Sequence, residues 1–162
     1  MVLGPETRLR EGGQGDNHLN FRDLAIGYLK QAEARRDDAK DALAEGNYAY
    51  AVRLSQECVE LCVKAALRFV GVEYPKQHEV SELLVELKAR FPDWFAAETP
   101  SIREASVSLF KKRELAFYGG EDTALPPDKV IAEEDGRKAV ESAVRVSSAC
   151  KRLLADQGPT RT

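Results

Sequence analysis

From Phe21 to Leu43 apolar and small residues recur every three to four positions (Phe21, Leu24, Ala25, Tyr28, Leu29, Ala32, Ala39, Ala42, Leu43). That spacing marks one face of an α-helix of about six turns. Gly46 breaks the pattern and Asn47 is a good cap for a second helix, so Glu45-Gly46-Asn47 reads as a short joint between two antiparallel helices. In the second helix, about Tyr48 to Val70, the polar side chains are confined to Arg53, Glu57, Glu60, Lys64 and Arg68. At about 100° per residue these fall within a fan of about 80°, which leaves the remaining faces apolar and predicts a central helix packed on several neighbours. A shorter third helix carries Val80, Leu83, Leu84, Leu87 and Phe91 between Pro75 and Pro92, and Trp94 and Phe95 are expected to plug the bundle end.

Thr99-Pro100-Ser101, with Glu104 three residues beyond Ser101, has the form of a helix start with a capping box, and Gly119-Gly120 ends that fourth helix at about Tyr118. Glu121 to Ile131, with Pro126-Pro127, reads as a loop. Glu133, Glu134 and Asp135 suit the positive end of a fifth helix dipole, and its buried stripe is Ala139, Val140, Ala143, Val146, Ser147, Cys150, Leu153 and Leu154. Strand alternation and internal repeats are not evident. The pattern therefore predicts an all-α chain: a flexible tail over residues 1–18, glycine-rich and without period, one helical bundle over 19–156, and a short tail over 157–162.

Composition narrows the functional classes. With 162 residues and 43% hydrophobic content, one core is expected. No apolar run approaches the roughly 18 residues of a membrane span, and the first residues are polar and glycine-rich, so neither membrane insertion nor secretion is expected and the cytoplasm is the expected location. A net charge of -3 argues against nucleic-acid binding through an overall positive field and leaves room only for a local basic patch. Three cysteines make no disulfide framework, and Cys58 and Cys62, one helical turn apart, read as small core residues. The only histidines are His18 and His78, and neither a Cys-x-x-Cys pair nor a His-Glu-x-x-His run occurs. The glycines of the tail follow no strand and lead to no Lys-Ser/Thr pair. No metal site, phosphate loop or cofactor is expected.

One residue stands out by angle. With Ile102 as zero and about 100° per residue, Ala105, Ser106, Leu109, Ala116 and Phe117 fall within about 60° either side, and Arg113 falls at about 20°, in the middle of this apolar face. An unpaired buried guanidinium is prohibitively costly. Arg113 must therefore either pair with a carboxylate of another helix, Glu57 and Glu60 being candidates, or line a crevice that receives an anion.

Three stretches resemble the HEPN domain: Ala42 to Ala51 (ALAEGNYAYA); Ser55 to Glu60 with Lys64 to Leu67; and His78-Glu79-Val80 followed by Leu83-Leu84. The segment Lys112-Arg113-Glu114-Leu115-Ala116-Phe117-Tyr118-Gly119-Gly120 is similar to the Arg-Glu-x-x-x-Tyr-Gly ending of the prokaryotic branch. The resemblance spans about Asp23 to Leu154. It implies an up-and-down bundle of four long helices plus a short one, commonly a homodimer. Many members of that family are metal-independent endoribonucleases, often toxins or defence effectors, whose arginine is followed after four to six residues by a histidine in a site shared across the dimer. Others pair with a small nucleotidyltransferase.

Arg113 matches the family arginine, but positions 118, 119 and 120 hold Tyr118, Gly119 and Gly120. Metal-free RNA cleavage needs a group that moves a proton from the 2′-hydroxyl near neutral pH, which imidazole does and a phenol does poorly. The resemblance thus points to a non-catalytic module that binds nucleotide, RNA or a partner, with an endoribonuclease toxin as the alternative. The candidate ligand residues are Arg113, Tyr118, Lys112 and His78, although for His78 a helix-start or packing role is the favoured reading. Tyr118 is either a packed aromatic with a wet hydroxyl, a hydrogen-bonding group for a phosphate or base beside Arg113, or an acceptor of a nucleotidyl group from a partner.

Overall fold

The structure, a computed structural model, describes residues 15–74, 80–120, 122 and 124–156, with backbone only for 15–19. Four long helices carry the fold: α1 (Gly15–Ala44), α2 (Tyr48–Phe69), α4 (Asp93–Tyr118) and α6 (Glu133–Ala155). Between them lie a two-turn α3 (Val80–Glu86), a 3-10 turn over Lys88–Arg90 and a single-turn α5 (Pro127–Val130). Among the described residues there is no strand, only an isolated bridge between Gly120 and Leu125. No described helix is long and apolar enough to cross a membrane.

Helix α2 is the axis of the bundle. It packs on α1, α4 and α6 and buries Ala51, Val52, Leu54, Cys58, Val59, Cys62, Val63, Ala66 and Leu67. The strip read from the pattern, Arg53, Glu57, Glu60, Lys64 and Arg68, is its half-exposed edge. On α1 the fully buried positions Ala25, Ala32 and Ala39 fall seven apart, so one narrow seam of methyl groups lets α1 lie close along α2. The joint between them closes as its residues dictate: Gly46 adopts φ +79°, and the Asn47 Oδ1 accepts the Tyr50 N–H at 3.4 Å.

Three features differ from the sequence reading. Helix α1 begins at Gly15, inside the stretch assigned to the N-terminal tail, and residues 1–14 lie outside the described residues. The loop from Glu121 to Ile131 contains the turn α5. Most consequentially, the fourth helix begins at Asp93 and runs through Pro100 instead of starting beside it. Pro100 has no N–H to give the Ala96 carbonyl, and the Thr99 hydroxyl takes that place, donating to the Ala96 carbonyl at 2.8 Å. The proline cue is thereby overruled by its neighbour. Trp94 and Phe95 do close the core end, as first-turn residues of α4. The Phe95 ring lies 4.8 Å from Phe91 and edge-on to Trp94 at 5.6 Å, while Arg152 covers the Trp94 face at 3.9 Å.

Thr99 is fully buried, and valine keeps its shape without its hydroxyl. Thr99→Val should cost about 1 kcal/mol by orphaning the Ala96 carbonyl. Urea unfolding of the variant against the parent chain checks this.

Candidate functional site

The C-terminal half of α4 is where the bundle opens. Ile102, Ala105, Leu109 and Ala116 are buried, but Phe110 and Phe117 are each 47% exposed and Arg113 between them is half-buried. These three share a stripe at helical spacing of three and four residues. The apolar face drawn from the sequence is therefore too wide by its Arg113–Phe117 edge. That edge overhangs the polar strip of α2 rather than its apolar girth. Phe117 sits over the Arg53 guanidinium, 4.4 Å from ring centre to the guanidinium carbon, and Arg53 also lies 5.8 Å from the Tyr50 ring. Tyr118, 68% exposed, leans on Phe117 with ring centres 4.8 Å apart.

Neither alternative carboxylate pairs with Arg113. Glu57 accepts from the Arg35 Nε at 3.0 Å, and among the described residues no ion pair reaches Arg113, Arg53 or Glu60. Two half-buried guanidiniums therefore stand at this end of the α2–α4 pair without a counter-charge among the described residues. The Nε of Arg53 is itself buried and has no hydrogen-bond partner among them. The chemistry available is recognition of an anion that accepts from planar N–H forks, beside aromatic faces on which a flat group can stack.

The other predicted ligand residues are placed differently. Lys112, roughly 100° around α4 from Arg113, turns to α6 and binds Asp135 at 2.6 Å. Asp135 also accepts the Ala132 N–H at 2.9 Å, capping α6, and the Lys112 hydrogen bond together with that cap holds its carboxyl below the usual range. This ion pair closes one end of an open groove of about 530 Å³ between α4 and α6, which Ser108, Ser142 and Arg145 also line. The structure thus separates Lys112 from Arg113 and Tyr118. His78 lies outside the described residues. Sequence alone does not single out Arg53, which reads there as one of five polar residues on a solvated strip; only the position of Phe117 above it marks it out.

The turn after α4 explains what can come after the arginine. Gly119 has φ +75° and ψ −166°, a region open almost only to glycine, and a Cβ there would collide with the Leu125 carbonyl oxygen. Its N–H closes the helix on the Leu115 carbonyl at 2.8 Å, while Gly120 and Leu125 exchange backbone hydrogen bonds at 2.9 and 3.2 Å. Of positions 118, 119 and 120, where a proton-carrying side chain would come after Arg113, 119 has no room for any side chain. Position 118 points to solvent.

The cysteines are core residues. Cys58, Cys62 and Cys150 are buried; Cys150 Sγ donates to the Cys62 carbonyl at 3.4 Å, and Cys58 Sγ to the Ala143 carbonyl at 3.8 Å. Contact between neighbouring thiols and burial keep Cys58 and Cys62 protonated far above the ordinary thiol range. No group of three or more potential metal-binding side chains occurs among the described residues.

With this geometry in place, similarity to known proteins gives the class. The chain belongs to the HEPN domain family, whose profile matches residues 27–153, more than half of its length. A crystal structure of ST0689, an archaeal HEPN homologue, superposes with a TM-score of 0.60 at 27% identity, covering 80% of this chain and 97% of that one. No curated protein shows significant sequence similarity to the chain.

Two outcomes are expected. Gly119→Ala should destabilise the fold by at least about 2 kcal/mol, from the left-handed backbone and the collision with Leu125, as read by chemical denaturation. Because the Asp135 carboxyl is depressed in the folded state, its contribution is present above the unfolded value of about 3.9 and is lost as pH falls through the folded value. Asp135→Asn should therefore lower stability at neutral pH and flatten the loss between neutrality and acid. Melting temperatures of both proteins across that range test the sign.

Proposed function

We propose that this HEPN protein is a binding module that holds the phosphate of a nucleotide or an RNA segment at the Arg113 end of α4, without turnover. The observation that carries this reading is a half-buried arginine with no ion pair among the described residues, beside exposed Phe110, Phe117 and Tyr118, and followed through position 120 by no imidazole. A half-buried guanidinium without a counter-charge keeps donors open at a partly desolvated position, and an anion that accepts from them gains more there than in open water. The rings supply stacking surface for a base, which tolerates many sequences and offsets the weak field of an acidic chain.

A homodimer fits the same surface. Phe110 and Leu115 are exposed and Val107 is half-buried, off the main face of α4, and a second copy covering them would double the Arg113 site. A small nucleotidyltransferase as partner, in a toxin-antitoxin-like pair, is favoured by one observation: the Tyr118 hydroxyl belongs to a side chain open enough to accept a group from another protein. The alternative of a metal-independent endoribonuclease requires some other proton carrier within reach of Arg113.

Incubation with mixed single-stranded RNA in chelator separates these readings. The binding module leaves the RNA intact and retains it, with binding weakened about tenfold or more by Arg113→Ala. Cleavage abolished by Arg113→Ala would instead establish the endoribonuclease. Sedimentation at micromolar concentration tests the dimer, and Phe110→Asp should shift any dimer towards monomer.

A further inference from the structure

Arg113 supplies one guanidinium to the anion site, and the geometry offers another. We propose that Arg53 of α2 is the second arm of the same site, so that the Arg53 guanidinium, resting on the Phe117 ring, and the Arg113 guanidinium one turn back along α4 close on one phosphate group. The proposal rests on the phosphate-binding function proposed for Arg113 and names the residue that completes its site.

Three observations lead to it. First, Phe117 links the two positions: it is four residues, one helical turn, beyond Arg113 on α4, and its ring lies 4.4 Å from the Arg53 guanidinium carbon. Second, the manner of that contact leaves the arginine able to bind. The ring lies against the guanidinium carbon, and of the side chain's five N–H donors the Nε–H is buried while the terminal N–H groups are not. Phosphate oxygens accept from such groups in pairs. Third, nothing within the described chain claims those donors. The Arg53 Nε is buried without a hydrogen-bond partner, and Glu57, one turn along α2, is taken by Arg35. Glu114, next to Arg113 in sequence, pairs with neither arginine among the described residues.

Arg35 ends on Glu57 and Arg103 on Glu82 at 3.3 Å, whereas Arg53, like Arg68 and Arg152, rests on aromatic rings without an ion pair among the described residues. What sets Arg53 apart is that its ring, Phe117, stands one helical turn from Arg113. The rings at Tyr50 and Phe117 fix its stem and plane, so little side-chain freedom remains to be lost when an anion binds. In the groove on the other flank of α4, Lys112 and Lys138 already have Asp135 and Glu134, and the exposed Arg145 has no aromatic ring against it among the described residues.

The test is a fluorescence-anisotropy titration of a short, labelled, mixed-sequence single-stranded RNA against the full chain and its variants. Arg53→Gln should weaken binding about tenfold, as Arg113→Ala does, and the double variant should lose clearly less than the product of the two, because both arms serve one phosphate. Arg53→Lys, which keeps charge and stem but not the planar fork, should fall between parent and Arg53→Gln. Phe117→Leu should weaken binding several-fold with both arginines present, and it carries the test should Arg53→Gln fail to fold. Unchanged affinity in Arg53→Gln, with Arg113→Ala still weak, would overturn this proposal and leave the binding function standing. Multiplicative losses would likewise overturn it, since they would assign the arginines to separate phosphates. Absence of any RNA binding by the parent chain would remove both readings.

Discussion

The burial of α2 on three sides governs everything else in this structure. A helix whose polar residues occupy one narrow strip must be wrapped by its neighbours everywhere except along that strip, and α1, α4 and α6 do the wrapping. The strip is then the one edge of the central helix where charge survives near the core. In the middle of the strip Glu57 is matched by Arg35, and at its C-terminal end Arg68 rests on the Tyr74 ring at 4.8 Å. At its N-terminal end Phe117 of α4 overhangs it instead, and the charge there, Arg53, meets an aromatic ring and no carboxylate among the described residues. The candidate site is thus a consequence of packing: it lies where the helix that must be covered runs out of cover.

The end of α4 fixes what that site can do. Gly119 turns the chain in a conformation closed to other residues and lays its α-carbon against the Leu125 carbonyl, so the backbone, and not only the side-chain choice, excludes a proton carrier at this position. Tyr118 is left at the lip, stacked on Phe117 and open to solvent. Two guanidiniums and three exposed rings offer planar N–H forks and stacking faces, which is the chemistry of anion recognition.

Much of this architecture is legible in the sequence, and the parts that are not have identifiable causes. The helices α1, α2 and α6, the strip on α2 and the Gly46 joint arise from periodicity and caps, because each depends on residues close in the chain. The start of α4 is hidden because Thr99-Pro100-Ser101 carries the local signature of a helix start, while the compensating hydroxyl of Thr99 is visible only once Ala96 is known to be helical. Angle alone marks Arg113 yet overstates its burial, since a helical wheel records direction and not how far the neighbouring helix extends. Lys112 looks like a companion to Arg113 by adjacency, whereas neighbours in sequence point about 100° apart on a helix and this lysine belongs to the cap of α6. Arg53, more than fifty residues from Arg113, has no local signal at all.

The central claim is that the working surface is the overhang of α4 on the N-terminal end of α2. The most direct measurement tracks the arginine Nε–H resonances by NMR as single-stranded RNA is added. The account predicts that Arg53 and Arg113 shift and slow their exchange with water together, while Arg103 and Arg137 stay where they are. Perturbation confined to Arg145 and the groove between α4 and α6, with Arg53 and Arg113 unmoved, would contradict it.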